Sequence, residues 1–195
     1  MPQNLPRNVK DIAIFIGSLR RESTSRKTAL ALAALAPGNL RLDLVETGHL
    51  PFYDQDFDAD PASTPETYRA FRERIARADA VLFVTPEYNR SYPAHLKNAI
   101  DIGTRPYGKN VWSGKPAGVV SVSMGAMGGF GANQSLRQQL ANVNMSVLQQ
   151  PEVYIGGTDK IFDSDGGVKV EATEAFLRNY LASFAAWSDR LALAA

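Results

Sequence analysis

Residues 9–26 read VKDIAIFIGSLRRESTSR, and the change of character along this stretch decides the fold. From Val9 to Ile16 the chain is short, rich in β-branched residues, and apolar on both alternations through Ile12, Ala13, Ile14, Phe15 and Ile16. A strand with two apolar faces is buried on both, which is the situation in a parallel sheet covered by helices above and below. Gly17 and Ser18 end the run. A polar loop follows from Leu19 to Ser25, then a helix expected from about Arg26 to Leu35, stopped by Pro37, Gly38 and Asn39.

The same unit recurs outward from there. Leu40 to Val45 reads as a second strand, and His49 to Ala62 as a Pro/Asp-rich loop. That loop lacks the glycine and terminal glutamate of a calcium-binding loop, so a solvated connection is the better reading. Thr64 suits an N-cap and Pro65 a first helical position for a helix running to about Arg77, with its charges on an exposed face. Ala80 to Thr85 is a third strand, Ala94 to Ile102 a short helix, Pro116 to Ser123 a fourth strand and Ala132 to Asn142 a helix. Met145 to Tyr154 supplies a fifth strand and Val170 to Leu191 a last helix. Strand and helix alternate five times. The expected architecture is α/β: a three-layer sandwich with a five-stranded parallel sheet and helices on both faces.

Composition narrows the chemistry. The chain has 195 residues, no Cys and 2 His, which excludes disulfides, a cysteine nucleophile, Cys-ligated metal and a three-His site within one chain. With 21 Lys+Arg against 20 Asp+Glu, the net charge of +1 argues against a dedicated nucleic-acid binder. A single domain over 1–195 is expected, with a flexible lead-in over 1–8. The first apolar run follows Pro2 and Pro6 and is broken by Lys10 and Asp11, so it is not read as a signal peptide, and a cytoplasmic location is the default.

In an open parallel sheet, ligands sit at the carboxyl ends of the strands. Three loops there have unusual compositions. The first, GSLRRESTSR over 17–26, has neither GxxxxGK[ST] nor GxGxxG. It offers four hydroxyls and guanidinium groups at a helix entrance, which match a terminal phosphate better than a bridging pyrophosphate; the alternative is a capped polar loop with solvated arginines. The second, TPEYNRSYP over 85–93, is stiffened by two prolines and places aromatics beside Asn89, a pattern suited to framing a flat heteroaromatic ring; a plain strand-to-helix turn with Tyr88 and Tyr92 partly in the core fits it as well. The third, SVSMGAMGGFGA over 121–132, carries four glycines that permit close backbone approach to a ligand, or simply a loop that needs positive φ.

Together GSLRRESTSR, TPEYNRSYPAHLKNAID and SMGAMGGFG resemble the NADPH-dependent FMN reductase family, a flavodoxin-like group that includes bacterial quinone and chromate reductases. Two positions depart from its pattern: Ile102 stands where Trp is frequent, and Glu22 where a small residue is common. The resemblance implies that Ser18, Arg20, Ser23, Ser25 and Arg26 hold the FMN phosphate. It implies that Pro86, Glu87, Tyr88 and Asn89 border the isoalloxazine, and that Ser123, Gly125, Gly128 and Gly129 line the ribityl and ring side. It further implies NADPH (or NADH) as co-substrate, transfer of two electrons to quinones, chromate, azo compounds or flavins by a ping-pong scheme, and a homodimer or homotetramer. The segment 104–112 and the helix around Lys97 are the expected interface pieces. No catalytic side chain and no metal are expected. Arg20, Arg21, Arg90 and Arg105 are candidates for a nicotinamide 2′-phosphate. His95 reads mainly as a packing or interface residue. A flavodoxin-type electron carrier and a flavin-binding regulatory protein are the alternatives; a serine hydrolase is disfavoured because no GxSxG elbow is present.

Overall fold

The computed structural model describes residues 9–60, 62–163 and 167–194; the expected lead-in over 1–8 lies outside them. In chain order the elements are β1 (Lys10–Ile16), α1 (Thr24–Leu35), β2 (Leu40–Val45), α2 (Glu66–Arg77), β3 (Ala80–Pro86), α3 (Ala94–Gly103), β4 (Pro116–Val122), α4 (Phe130–Asn142), β5 (Ser146–Val147), β6 (Val153–Ile155), α5 (Thr158–Ile161) and α6 (Glu171–Ala194). The strands form one parallel sheet in the order β2-β1-β3-β4-β5, with β6 also pairing β4.

The double apolar alternation of β1 is used as expected. Ala13 and Phe15 face one core with Tyr68, Phe71 and Ile75 of α2, Leu96 of α3 and Leu136 and Leu140 of α4. Ile12, Ile14 and Ile16 face the other, with Leu32 of α1 and Leu177, Leu181 and Phe184 of α6. Helices therefore cover both faces. Each large side chain buried this way contributes roughly 1.5–3 kcal/mol. The first core centres on Trp112, which is fully buried and has Phe15, Phe71 and Phe83 around it at ring centroid separations of 5.7, 6.0 and 6.2 Å. Its indole Nε1 donates to Ile100 O at 2.9 Å. Gly103 makes room for it, since a Cβ there would lie 2.3 Å from that nitrogen. Trp112, the last residue of the expected interface segment, thus belongs to the chain's own interior.

Three local expectations are corrected. The fifth strand is not continuous over 145–154: β5 and β6 share its place beside β4. Between them lies Pro151, which has no N–H to give a ladder. Helix α1 starts at Thr24, two residues early, because the Ser23 side chain caps it by accepting from Arg26 N at 3.2 Å. Thr64 is not a cap: α2 begins at Glu66 after Pro65, and Thr64 Oγ1 donates to Phe57 O at 2.7 Å. The Pro/Asp-rich loop also holds a 3₁₀ turn over Gln55–Asp58, capped by Asp54, which accepts from Asp56 N at 3.0 Å.

Candidate functional site

Strand β1 pairs with β2 on one side and β3 on the other, so the crossovers leaving β1 and β3 diverge and open a crevice at the carboxyl ends. A cleft of about 230 Å³ occupies it. Gly17 lets the first two loops meet there, because a Cβ would lie 2.8 Å from Thr85 Cα and from Pro86 Cδ. Larger concavities lie between α1 and α6, at the amino ends of the strands, and beside α4 and β5, but none of the three gathers the loops that follow β1, β3 and β4.

The first wall of the cleft is Ser18, Arg20, Ser23, Thr24 and Ser25. Ser23 is engaged as the α1 cap, and Ser18 Oγ accepts from Arg20 N at 3.4 Å. Ser25 is different. It is 1% exposed, and its Oγ has no hydrogen-bond partner. A buried hydroxyl without a partner costs about 1–3 kcal/mol unless a ligand completes it. The first turn of α1 contains no acidic residue, so its positive end faces the cleft unopposed. Glu22 is mostly exposed and lies 3.8 Å from Lys27, which balances it locally. An orphaned donor, a helix N-terminus with no acidic residue in its first turn and an arginine at the rim fit a terminal phosphate. Arg26 is turned away from this wall and pairs with Glu46.

The second wall is Pro86, Glu87 and Tyr88. Tyr88 and Ser91 exchange two backbone hydrogen bonds at 2.8 and 3.0 Å, closing a two-residue hairpin on Asn89 and Arg90. Both corner residues have positive φ, 52° and 65°, the pattern of a type I′ turn, in which glycine is usual at the second position. Asn89 sits at this exposed corner and not on the cleft wall. Tyr88 is 48% exposed, leaving an aromatic face free at the mouth.

The third wall is Val122, Ser123 and Met124. Ser123 Oγ donates to Gly125 O at 2.8 Å. Gly128 and Gly129 have positive φ, and their missing side chains make room for the protein itself: a Cβ on Gly128 would lie 2.6 Å from the Tyr154 carbonyl carbon, and one on Gly129 3.0 Å from Ser121 Cβ. Gly125 is open, with only Ser123 Oγ within 4 Å of a Cβ. The structure therefore brings Ser18, Arg20, Ser23, Ser25, Pro86, Glu87, Tyr88 and Ser123 to one cleft, and leaves Arg26, Asn89, Gly125, Gly128 and Gly129 off its walls. Sequence reasoning missed Thr24, Val122 and Met124. Thr24 belongs to the same hydroxyl run and was legible; Val122 and Met124 are apolar, and only their position at the end of β4 marks them.

His95, at the start of α3, shares a 2.8 Å hydrogen bond through Nδ1 with Thr47 Oγ1, while its Nε2 is buried without a partner. Burial lowers its pKa, opposed by the nearby Gly17 main chain, so the ring is neutral at pH 7.

A sequence model of the NADPH-dependent FMN reductases matches residues 11–160, across all three loops. The chain belongs to that family. It is similar to a quinone reductase of Pseudomonas putida, 52% identical over 179 residues covering 92% of this chain and 95% of the relative. A 2-hydroxy-1,4-benzoquinone reductase of a Burkholderia species is 44% identical over 90% of this chain and 94% of its own. Among solved structures, the flavoenzyme NAD(P)H:(acceptor) oxidoreductase FerB of Paracoccus denitrificans superposes with a TM-score of 0.88 at 42% identity, covering 93% of this chain and 98% of its own. The protein is thus a flavodoxin-like oxidoreductase whose cofactor is FMN and whose electron donor is NAD(P)H. No helix among the described residues is long and apolar enough to cross a membrane.

Proposed function

We propose that this protein carries two electrons from NAD(P)H to quinones, with the nicotinamide and the acceptor taking turns on one exposed flavin face in a ping-pong scheme. The observation that carries the reading is Ser25: a buried hydroxyl with no partner, in the first turn of α1, inside the cleft where the three loops converge. When bound, FMN supplies a ring that takes a hydride from the nicotinamide and yields two electrons to the acceptor.

The chain's own residues bind and orient. Ser18, Ser25, the α1 N–H groups and Arg20 hold the phosphate end, with Ser23 keeping the helix start in place. Pro86, Glu87 and Tyr88 frame the ring, with Asn89 shaping the corner of their turn, and Val122, Ser123 and Met124 border its other side. Backbone N–H groups there stabilise negative charge that builds up on reduction. Tyr88 and Met124, 48% and 75% exposed, leave an apolar lip on which flat acceptors stack. Arg90, whose side chain is 80% exposed on the second loop, is the candidate cation for a 2′-phosphate. Chromate, azo compounds and free flavins are further acceptors under this reading. It also takes the chain as a single domain, active in the cytoplasm as a homodimer or homotetramer. The quinone reductases among its relatives support this assignment over an electron carrier or a regulatory flavoprotein.

The test is optical. The purified protein with FMN absorbs in the visible, bleaches on adding NADPH under nitrogen, and regains its colour with a benzoquinone at a rate that matches turnover. A preparation that takes up no FMN ends the reading; a long-lived one-electron reduced form with slow NADPH oxidation favours the carrier.

A further inference from the structure

The corner of the second loop is an expensive piece of backbone. Asn89 and Arg90 are consecutive non-glycine residues at positive φ, and such a corner persists only when its surroundings hold it. The side chain that holds it is Glu87. Its Oε2 accepts the Ala132 N–H at 3.2 Å, and its Oε1 lies 3.3 Å from Arg90 Nη1. The carboxylate is 16% exposed, while the Arg90 side chain is 80% exposed, so the buried, positioned member of the pair is the acid.

The other end of this contact has a matching need. Helix α4 starts after Gly129, a left-handed residue with no side-chain cap; Phe130 N–H donates to Met127 O at 3.1 Å, and the N–H groups that follow it in the first turn lack a capping side chain from their own segment. Glu87, 45 positions earlier in the chain, supplies one at the positive end of the helix. Gly131 provides the space: a Cβ there would lie 3.0 Å from Glu87 Oε2 and 3.1 Å from Arg90 O. One turn on, Ser91 Oγ and Ser135 Oγ are 3.2 Å apart and tie the same two segments again.

We propose that Glu87 is a positioning residue: its carboxylate latches the turn that frames the flavin ring to the N-terminus of α4, so that the second and third loops present the ring as one body. This rests on the FMN reading above. It gives the side chain of Glu87 a role separate from the backbone of its loop, and it explains why glycine stands at 131 inside a helix that would otherwise favour alanine.

The experiment is FMN titration of the full-length, flavin-stripped protein by quenching of flavin fluorescence, with thermal melting of each flavin-free variant alongside. Glu87→Ala is expected to weaken FMN binding roughly tenfold. Glu87→Gln keeps an oxygen that accepts from Ala132 N–H and is expected to stay within about threefold of the parent. Gly131→Ala is expected to weaken FMN as Glu87→Ala does while melting no lower than the parent, because alanine is the better helix former. That combination separates a displaced latch from a damaged fold. Unchanged FMN affinity in Glu87→Ala and Gly131→Ala overturns the proposal, as does a loss in Glu87→Gln equal to that in Glu87→Ala. If the parent itself takes up no FMN, the functional reading has failed; if the parent binds and the variants bind equally, only the latch has.

Discussion

The two ends of the parallel sheet use the same kinds of residue in opposite ways. At the amino ends the charges are spent on one another. Arg74 reaches both oxygens of Asp11 at 3.1 and 3.2 Å and Asp43 at 3.0 Å, Asp11 N–H donates to Asp79 at 2.7 Å, and Lys10 pairs with Asp189 at 3.0 Å. Lys115 Nζ closes the end of α2 by donating to Ala78 O at 2.7 Å and Ala76 O at 3.1 Å. At the carboxyl ends, Ser25 Oγ and His95 Nε2 are buried without partners, Asn89 and Arg90 sit at positive φ, and Tyr88 and Met124 stand exposed. Pairing dominates the first end, where Arg41 Nε and Ser188 Oγ are the buried atoms left over, whereas the second combines orphaned groups with positive φ and exposed apolar side chains, the division expected when one end serves stability and the other a ligand.

The contrast can be broken by substitutions that act at the wrong end. The largest expected effect is on stability. Arg74→Leu leaves Asp11 with Arg41 at 3.5 Å among the described residues, and loss of a mostly buried partner costs about 3 kcal/mol. Denaturant midpoints read that loss, and FMN affinity should stay within about twofold; a large drop in affinity would mean that the two ends are coupled. Next comes Ser25→Ala. It removes a hydroxyl that already lacks a partner, so the flavin-free protein should melt at the same temperature or higher. FMN binding should weaken about tenfold through loss of a hydrogen bond to a charged group. Equal affinity would take Ser25 out of the phosphate site.

The smallest effect sharpens the comparison at its boundary, because His95 lies at the open end yet is partly used by Thr47. Burial holds its pKa below the ordinary 6.5. The unfolded chain then binds more protons than the folded one in the window between the lowered value and 6.5. Stability from this group is complete above 6.5 and is lost as pH falls through the window. His95→Asn should flatten the fall of the urea midpoint below pH 6.5; an unchanged slope would assign that fall to other groups.

The layers were legible because β1, β3 and β4 are apolar on both alternations, which places helices on both faces of the sheet; the strand order was not, since burial on both faces does not say which strands are neighbours. The loops were legible as a set, since hydroxyls, guanidinium groups and aromatics concentrate at the ends of those strands. Other features depend on partners distant in sequence. Nothing near Glu87 announces Ala132, and nothing near Gly128 announces the Tyr154 main chain. The glycines of the third loop invited a ligand-facing reading because local composition reports that space is needed, not what fills it. The break in the fifth strand was available in Pro151, whose missing N–H outweighs the apolar run around it.

Trp112, enclosed by three phenylalanines in a water-free interior, is an optical probe built into the fold. Its emission should be blue-shifted in the native state and move red when the first core opens, so unfolding can be followed without a label. A flavin seated at the strand ends absorbs in the same region and should dim it. With Trp187, the chain's second indole, replaced by Phe, cofactor capture and loss of the core would register on Trp112 with distinct signatures: intensity for the first, wavelength for the second.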